Sequence, residues 1–285
     1  MVTTGAPNQA AIVTGGGRGM GLACARRLAA THQVVIVDIA AETAKQAADE
    51  LSRAGAIAVG AACDVRDAVG LAQAVATAGN CGPLTAVVHA AGVSPTMADW
   101  RTIIDVDLCG TARVAEAVLP ALAPGAAMVC FASIAGQVAP VPDDLAALLD
   151  EPLADGFLER FASLLDGNEA ATGTAYGLAK HGVMRFCERE APAFGERGAR
   201  IVSISPGLIT DTPQGKQELA EQPAMPVMID MTPLKRGGRA DEIAAVVEFA
   251  CSPAASFLSG CDLRVDGGCV AAIRTVGWQA PMQMD

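Results

Sequence analysis

Hydrophobic positions in this chain form short apolar runs, separated by longer stretches in which apolar residues recur every three or four positions. The runs are typical of buried strands, and the periodic stretches are typical of amphipathic helices that cover a sheet. The runs predict strands at 10–14, 33–38, 56–63, 84–89, 126–132, 199–205 and 261–266. The periodic stretches predict helices at 19–31, 41–54, 66–78, 97–122, 174–196 and 239–251. The alternation predicts an α/β fold, a single Rossmann-type domain over residues 1–285 with a doubly wound parallel sheet of about seven strands.

Residues 137–172 interrupt this alternation. Leucine and phenylalanine recur there at mixed three- and four-residue spacings, which predicts a helical insertion with one or two short amphipathic helices. The insertion is either a surface addition or a functional element, namely an oligomer contact or a wall of a substrate pocket. Residues 208–232 are expected to form an apolar lid, and the tail 269–285 is expected to cap the pocket or reach a neighbouring subunit.

Composition narrows the class of protein. Only 4% of the residues are aromatic although 52% are hydrophobic, so the core must be aliphatic. The net charge of −11 argues against nucleic acid and anionic membranes as partners. The nine cysteines form no CxxC pair, which predicts free thiols in a reducing, cytoplasmic environment and no metal site. Residues 117–142 are uncharged, but their prolines and glycines argue against a membrane span.

A glycine-rich turn lies between the first predicted strand and its helix. Gly15, Gly19 and Gly21 allow a sharp turn and a close approach of a pyrophosphate, which the helix N-terminus would also attract. Asp38 ends the second predicted strand, at the spacing expected for a carboxylate that binds ribose hydroxyls. Because this carboxylate would repel a 2′-phosphate, the sequence predicts NAD as cofactor, and the cation Arg18 in the turn is a counter-signal.

Tyr176 and Lys180 lie four residues apart in a predicted helix, so the phenol and the ammonium share one helix face. A free phenol has a pKa of about 10, which is too high for efficient base catalysis at neutral pH. The ammonium favours the phenolate electrostatically. Together with the glycine-rich turn, this pair predicts a hydride-transfer enzyme whose acid/base is a tyrosine.

The ordered set of motifs resembles the classical short-chain dehydrogenase/reductase family. The matching segments are 14–21, 64–65, 91–92, Ser133, Tyr176, Lys180, 206–207 and 265–268. The resemblance implies that Tyr176 is the general acid/base, that Lys180 binds the nicotinamide ribose, and that Ser133 stabilises the substrate oxygen. Within the family, segment 91–95, the long interval from Ser133 to Tyr176 and segment 252–256 are similar to bacterial 3α-hydroxysteroid dehydrogenase/carbonyl reductases.

The resemblance also implies a set of cofactor contacts. Asp64 would bind the adenine amine, Val65 would pack on the ring, and either Thr210 or, preferably, Thr212 would bind the carboxamide. The full set of candidates is Gly15, Gly17, Arg18, Gly19, Met20, Gly21, Asp38, Ile39, Asp64, Val65, Ala90, Ala91, Gly92, Tyr176, Lys180, Pro206, Gly207, Ile209 and Thr212.

Two positions depart from the family pattern. The family's Asn-Asn-Ala-Gly segment begins here with His89, which is interpreted as a structural residue. The family's helix asparagine, which helps to hold a proton-relay water, is replaced by Asp107, a candidate catalytic residue whose main-chain carbonyl can still bind that water. The Asp107 carboxylate adds charge close to Lys180 and is expected to alter the pH profile.

The lid is rich in methionine and lacks a cluster of arginine or lysine, which predicts a hydrophobic secondary alcohol or ketone of alicyclic, terpenoid or steroid type. A second interpretation is that these apolar residues only pack against the protein. Two other functions stay open: a 3-oxoacyl-thioester reductase and a non-catalytic NAD-responsive binding protein. Because the insertion alters a helix surface that many relatives use for tetramer assembly, either a homodimer or a homotetramer is expected.

Overall fold

The computed structural model describes residues 7–164, 171–222 and 224–277, and a parallel sheet runs through them. Its strands are Ala10–Thr14 (β1), Gln33–Asp38 (β2), Ala58–Ala62 (β3), Leu84–His89 (β4), Leu122–Phe131 (β5), Arg200–Pro206 (β6) and Asp262–Val265 (β7). The spatial order is β3-β2-β1-β4-β5-β6-β7, with every neighbouring pair parallel. The order reverses between β1 and β4, which is where ligands bind in doubly wound folds. The predicted fold class is confirmed.

Helices cover both faces of the sheet. They are Gly19–Leu28 (α1), Ala41–Arg53 (α2), Ala68–Cys81 (α3), Trp100–Ile104 (α4), Gly110–Val118 (α5), Ile134–Val138 (α6), Asp143–Leu149 (α7), Phe157–Leu164 (α8), Thr172–Glu196 (α9), Pro213–Glu221 (α10), Ala224–Met231 (α11), Ala240–Cys251 (α12) and Cys269–Val276 (α13). One core lies between the sheet and α3, α5 and α9, and a second core lies between the sheet and α1, α2 and α12.

The central strands are buried on both faces, which explains their unbroken apolar sequence. All five residues of β1 are buried, as parallel strands between two helical layers require. In α2 the buried residues are Ala44, Ala47, Ala48 and Leu51, a spacing that gives the helix one apolar face. Alanine dominates these contacts, so the helices approach the sheet through small side chains.

The helix predicted at 97–122 is interrupted in the structure. It consists of α4, a π-helical turn at Asp105–Cys109, and α5, followed by a 3-10 turn at Leu119–Ala121. The amide of Gly110 donates to the carbonyl of Asp105, five residues earlier, which is the hydrogen bond of a π-helix. The strand predicted at 126–132 begins earlier, at Leu122, because Leu122 pairs with Leu84 before an irregularity in the ladder.

The insertion packs on the outside of the helical layer. Its helices α7 and α8 confirm the predicted amphipathic segments within the described residues 137–164, and residues 165–170 of the predicted insertion lie outside them. Phe161 of α8 stacks on Trp100 of α4, with ring centroids 5.8 Å apart. Asp150, after α7, accepts hydrogen bonds from Arg185 and Arg189 of α9. The insertion therefore contacts and stabilises α9, the helix that carries Tyr176 and Lys180.

The predicted lid and tail contain three helices. Residues 208–232 include α10 and α11, and the tail includes α13, while residues 223 and 278–285 of these predicted segments lie outside the described residues. Met228 of α11 packs against a small cluster formed by Ile134, Cys269 and Val270. Across the described chain, no helix is both long enough and apolar enough to cross a bilayer.

Candidate active site

A cleft of about 270 Å³ opens at the carboxyl ends of β1 to β4. Most of the candidate cofactor residues line this cleft. They are Gly15, Arg18, Gly19, Met20, Gly21, Asp38, Ile39, Asp64, Val65, Ala90, Ala91, Gly92 and Thr212. Parallel strands present such a crevice where their order reverses, so the topology explains why residues distant in sequence meet here.

The glycine-rich turn leaves room for a ligand that side chains would fill. Gly15 has φ of +63°, and a Cβ at this position would lie 2.6 Å from the amide nitrogen of Ala91. A Cβ on Gly21 would overlap the carbonyl oxygen of Gly15. The bare backbone and the N-terminus of α1 therefore form a cradle that fits a pyrophosphate.

Asp38 ends β2 at the rim of the cleft. Its Oδ2 accepts a hydrogen bond from the amide of Gly17 (3.2 Å), and its Oδ1 accepts one from the amide of Ala40 (3.2 Å). Gly17 does not line the cleft, because it packs against Asp38 and Thr43. The two amides fix the carboxylate beside the turn, where it can accept hydroxyl donors of a ribose.

Arg66 is a cleft residue that the sequence reasoning missed. Its guanidinium binds the Asp64 carboxylate through two nitrogens, at 2.6–3.1 Å. This ion pair lowers the pKa of Asp64 and engages both of its oxygens, so an adenine amine would have to share them with Arg66. The position of Arg66 directly after Asp64-Val65, at the end of β3, was the signal that could have identified it.

Most of the residues that are expected to contact the nicotinamide lie in two different cavities. Thr212 lines the main cleft, and its Oγ1 accepts the amide of Gly215 to cap α10. Thr210 packs against Gly237 instead, so the structure favours Thr212 of the two threonines. Gly207 and Ile209 line a separate cavity of about 110 Å³. Pro206 lines neither of these cavities.

Ser133, Tyr176 and Lys180 meet beyond the cleft, at the end of β5 and in the first turns of α9. Ser133 caps α6, and its Oγ accepts the amide of Ala135 at 3.2 Å. Desolvation raises the pKa of the Tyr176 phenol, whereas Lys180 and the Ser133 hydroxyl act to lower it. The Nζ of Lys180 lies 5.5 Å from the centroid of the Tyr176 ring.

Lys180 is held by two oxygen atoms on the inner side of α9. Its Nζ donates a hydrogen bond to the carbonyl of Phe131 (3.0 Å) and lies 3.1 Å from Oδ2 of Asp107. Burial acts to lower the pKa of this ammonium, but Asp107 and Tyr176 raise it above its usual value. Burial raises the pKa of Asp107, and Lys180 opposes that effect. Gly92 lines the cleft and lies next to this ion pair, since a Cβ on Gly92 would be 3.2 Å from Nζ of Lys180.

The main-chain carbonyl of Asp107 already has a partner. Thr111 Oγ1 donates to it at 2.6 Å, which uses one of the two lone pairs that the carbonyl offers. The predicted binding of a relay water at this carbonyl therefore depends on the remaining lone pair.

His89 lies in the sheet below the site. Its Nδ1 is 2.7 Å from Oγ1 of Thr14, and only 1% of the residue is exposed. Burial and the nearby Lys180 lower the pKa of His89 to about 3, so the ring is neutral at physiological pH. This geometry favours the structural role that the sequence predicted.

Two family models match the chain. One is described as "short chain dehydrogenase" and covers residues 9–142, and the other is described as "Enoyl-(Acyl carrier protein) reductase" and covers residues 161–270. Together they cover the sheet, the glycine-rich turn, and both Ser133 and the Tyr176–Lys180 pair.

Characterised relatives match over almost their full length. The cis-4-hydroxycyclohexanecarboxylate dehydrogenase of Sinomonas cyclohexanicum is 30% identical, over 92% of this chain and 96% of its own. The 2-(S)-hydroxypropyl-CoM dehydrogenase 3 of Xanthobacter autotrophicus is 29% identical, over 93% and 97%. Among solved structures, an actinorhodin polyketide ketoreductase with NADPH is 25% identical and superposes with a TM-score of 0.73, over 92% of this chain and 97% of its own.

Proposed function

The chain belongs to the short-chain dehydrogenase/reductase family, and from that premise we propose that it is an NAD-dependent enzyme interconverting a hydrophobic secondary alcohol and its ketone. The family uses a nicotinamide cofactor, and its members act as alcohol and ketone oxidoreductases. The observation that carries the proposal is the placement of Tyr176 between Lys180 and Ser133, next to a glycine-lined cleft. A phenol in that position can exchange a proton with an alcohol oxygen.

Asp38 supports NAD as the cofactor. Its carboxylate is fixed at the cleft rim by two backbone amides and would repel the 2′-phosphate of NADP. Arg18 also lines the cleft and acts in the opposite direction. The related ketoreductase was solved with NADPH, so the family includes members that bind the phosphorylated cofactor. Asp38 outweighs Arg18 because its position is set by hydrogen bonds to the turn itself.

The mechanism follows from the positions of the side chains. When bound, a nicotinamide cofactor supplies the hydride acceptor for oxidation and the hydride donor for reduction. Tyr176 accepts the hydroxyl proton of the alcohol in oxidation and donates it to the carbonyl oxygen in reduction. Lys180 favours the phenolate through its positive charge. Ser133 donates a hydrogen bond to the same substrate oxygen and stabilises the charge that develops there.

The helices of the predicted lid support an apolar substrate. Met228 and Leu208 pack with Ile134, the residue that follows Ser133, and with α13. Such surfaces suit alicyclic, terpenoid or steroid skeletons better than polar chains. A relative that is named for a hydroxycyclohexanecarboxylate shares the alicyclic alcohol of this class, although that compound also carries a carboxylate. The relative that is named for a hydroxypropyl-CoM substrate shows the breadth of the family.

We further propose a cytoplasmic homo-oligomer. The described cysteines are all free, which suits a reducing compartment. The insertion covers the outer side of α4 and α9, so subunits would associate through another surface. Phe249 of α12 and Phe257, in the loop before β7, are exposed apolar side chains on the opposite layer of the sheet, and a dimer through that layer would bury them.

The first test is a substrate panel of alicyclic alcohols, cyclic terpenols and hydroxysteroids, each assayed with NAD and with NADP. We expect oxidation of at least one class, with a kcat/KM at least about tenfold higher with NAD, because one repelled charge is worth roughly 1.4 kcal/mol or more. Formation of the reduced cofactor measures turnover.

Two outcomes of the same panel would replace the proposal. Reduction of 3-oxoacyl thioesters with NADPH, without oxidation of cyclic alcohols, would identify the thioester reductase. Calorimetric binding of NAD without turnover of any alcohol or thioester would indicate a non-catalytic NAD-responsive protein.

The Asp38→Asn variant is expected to relax the preference for NAD. Asparagine keeps an oxygen for the amides of Gly17 or Ala40 but removes the charge, so the ratio of kcat/KM for NAD to that for NADP should fall by about 10- to 100-fold. The matched control is Asp49→Asn, a charge removal on the exposed surface of α2. An unchanged ratio in Asp38→Asn would show that this carboxylate does not select the cofactor.

A further inference from the structure

Asp107 and Lys180 form a buried ion pair, in which the carboxyl group of Asp107 lies next to the ammonium of Lys180. A neutral side chain at position 107 would leave the ammonium without this acidic partner. The Lys180 side chain is 6% exposed and that of Asp107 is fully buried, with Nζ and Oδ2 3.1 Å apart. Their attraction is screened far less than that of a surface pair. The ammonium next to the proposed catalytic tyrosine is therefore paired with a carboxyl group rather than with a neutral side chain.

Asp107 is held in place from several sides. Its Oδ1 accepts the amide of Val93 (2.8 Å), and its backbone belongs to the π-helical turn, whose carbonyl oxygen at residue 107 is bound by Thr111. Its Oδ2 lies 3.1 Å from Nζ of Lys180, so the contact is an ion pair in which this oxygen faces the ammonium.

The two charges act on the Tyr176 phenol in opposite directions. Lys180 lowers the pKa of the phenol, whereas Asp107 raises it. The carboxylate also limits where the ammonium can move, because Oδ2 of Asp107 and the carbonyl of Phe131 both contact Nζ. A carboxylate at position 107 therefore both positions Lys180 and weakens its effect on the phenol.

Taking the proposed function as its basis, we propose that Asp107 is a positioning residue that holds Lys180 and opposes its stabilisation of the Tyr176 phenolate. Base catalysis then requires a more alkaline solution than it would with a neutral side chain at position 107. While Lys180 stays protonated, an anion near the phenol disfavours the phenolate, so its removal lowers the pH at which the phenol ionises.

The other titratable groups around the pair do not supply this effect. His89 of β4 is neutral, since burial and Lys180 lower its pKa to about 3. Cys130 of β5 lies close to Lys180 and acts in the same direction as Asp107 on the ammonium, though as the smallest contribution. Glu218 of α10 raises the pKa of Tyr176, but it is the weakest of the groups that act on the phenol.

The composition of the chain makes the test direct, because Tyr176 is its one tyrosine. A pH titration of the phenolate absorbance, or of a ¹³C label on the tyrosine ζ-carbon by NMR, reports on Tyr176 alone in the cofactor-free protein. We expect Asp107→Asn to lower the pKa of Tyr176 by about one unit, which is roughly tenfold more phenolate at any pH below that pKa.

Asp105→Asn is the matched control. It removes a carboxylate from the same π-helical turn, but Asp105 pairs with Arg113 at 2.8 Å and not with Lys180. Its titration should coincide with that of the wild type. If Tyr176 of the wild type stays protonated up to the pH at which the protein unfolds, and the phenol of the Asp107→Asn variant ionises below its own unfolding pH, the expectation is met in the same way.

A pKa of Tyr176 that is unchanged or raised in folded Asp107→Asn would overturn the proposal. Circular dichroism establishes folding, and Asp107→Ser, a smaller neutral acceptor for the amide of Val93, decides the matter if the asparagine variant does not fold. In an active enzyme the acidic limb of kcat for alcohol oxidation should move to lower pH in parallel. The titration needs neither substrate nor cofactor, so a failed substrate panel would refute the proposed function and leave this result standing.

Discussion

The Tyr176→Phe variant is expected to lose about 10²- to 10⁴-fold in kcat for alcohol oxidation, the usual contribution of a positioned acid/base. Phenylalanine keeps the ring that packs against the core beside α9 and removes only the oxygen that exchanges the proton. Binding of NAD should stay close to that of the wild type, because the cleft residues are unchanged. Steady-state kinetics with the best alcohol of the panel and calorimetric titration with NAD measure the two quantities.

The control for this variant removes a hydroxyl elsewhere. Thr77→Val on the exposed face of α3 deletes a side-chain hydrogen bond to the carbonyl of Gln73, far from the proposed chemistry, and should leave kcat unchanged. Retention of more than about a tenth of the wild-type kcat by Tyr176→Phe would refute Tyr176 as the acid/base, since even the low end of the expected effect is larger.

The Gly15→Ala variant is expected to lose both cofactor affinity and stability. Gly15 has φ of +63°, which costs an alanine about 1 kcal/mol or more, and the new Cβ would lie 2.6 Å from the backbone of Ala91. Because backbone cannot give way as a side chain can, the turn and the end of β4 must separate. We expect the free energy of unfolding to fall by about 2–4 kcal/mol and NAD to bind at least about tenfold more weakly.

Gly79→Ala is the matched control for Gly15→Ala. Gly79 lies inside α3, with open space where a Cβ would be. Alanine there should raise the free energy of unfolding by about 0.5–1 kcal/mol and leave the affinity for NAD unchanged. Thermal unfolding and calorimetric titration measure both variants. Wild-type affinity in Gly15→Ala would show that the pyrophosphate does not approach this turn.

The sheet and most of the cleft could be predicted from the sequence. Buried parallel strands need apolar residues on both faces, so β1, β2 and β4 stand out as short runs that are mostly apolar. The residues that end these strands then lie along one edge by topology alone. For that reason Gly15, Asp38 and Ala91 could be placed in one cleft before any coordinates were known.

Other features depend on packing that a sequence pattern does not reveal. Periodicity treats 97–122 as one helix, because a π-helical turn changes the hydrogen bonds without interrupting the apolar pattern. The hydrogen bond that fixes the Asp107 carboxyl group could not be predicted, since its donor is the amide of Val93, in the segment after β4. The ion pair of Arg66 with Asp64 joins residues only two positions apart, yet only the structure shows that it faces the cleft.

The wide turn at Asp105–Cys109 makes the proposed acid–base site sensitive to chain length. This turn holds one residue more than a turn of α-helix, and both Asp107 and Leu108 are buried within it. Losing one codon here would restore a continuous helix but rotate one half against the other by about 100°. Either the carboxylate or the leucine would then leave the interior. A lineage can exchange aspartate for asparagine at position 107 by a point change, whereas an insertion or deletion in this turn would dismantle the site.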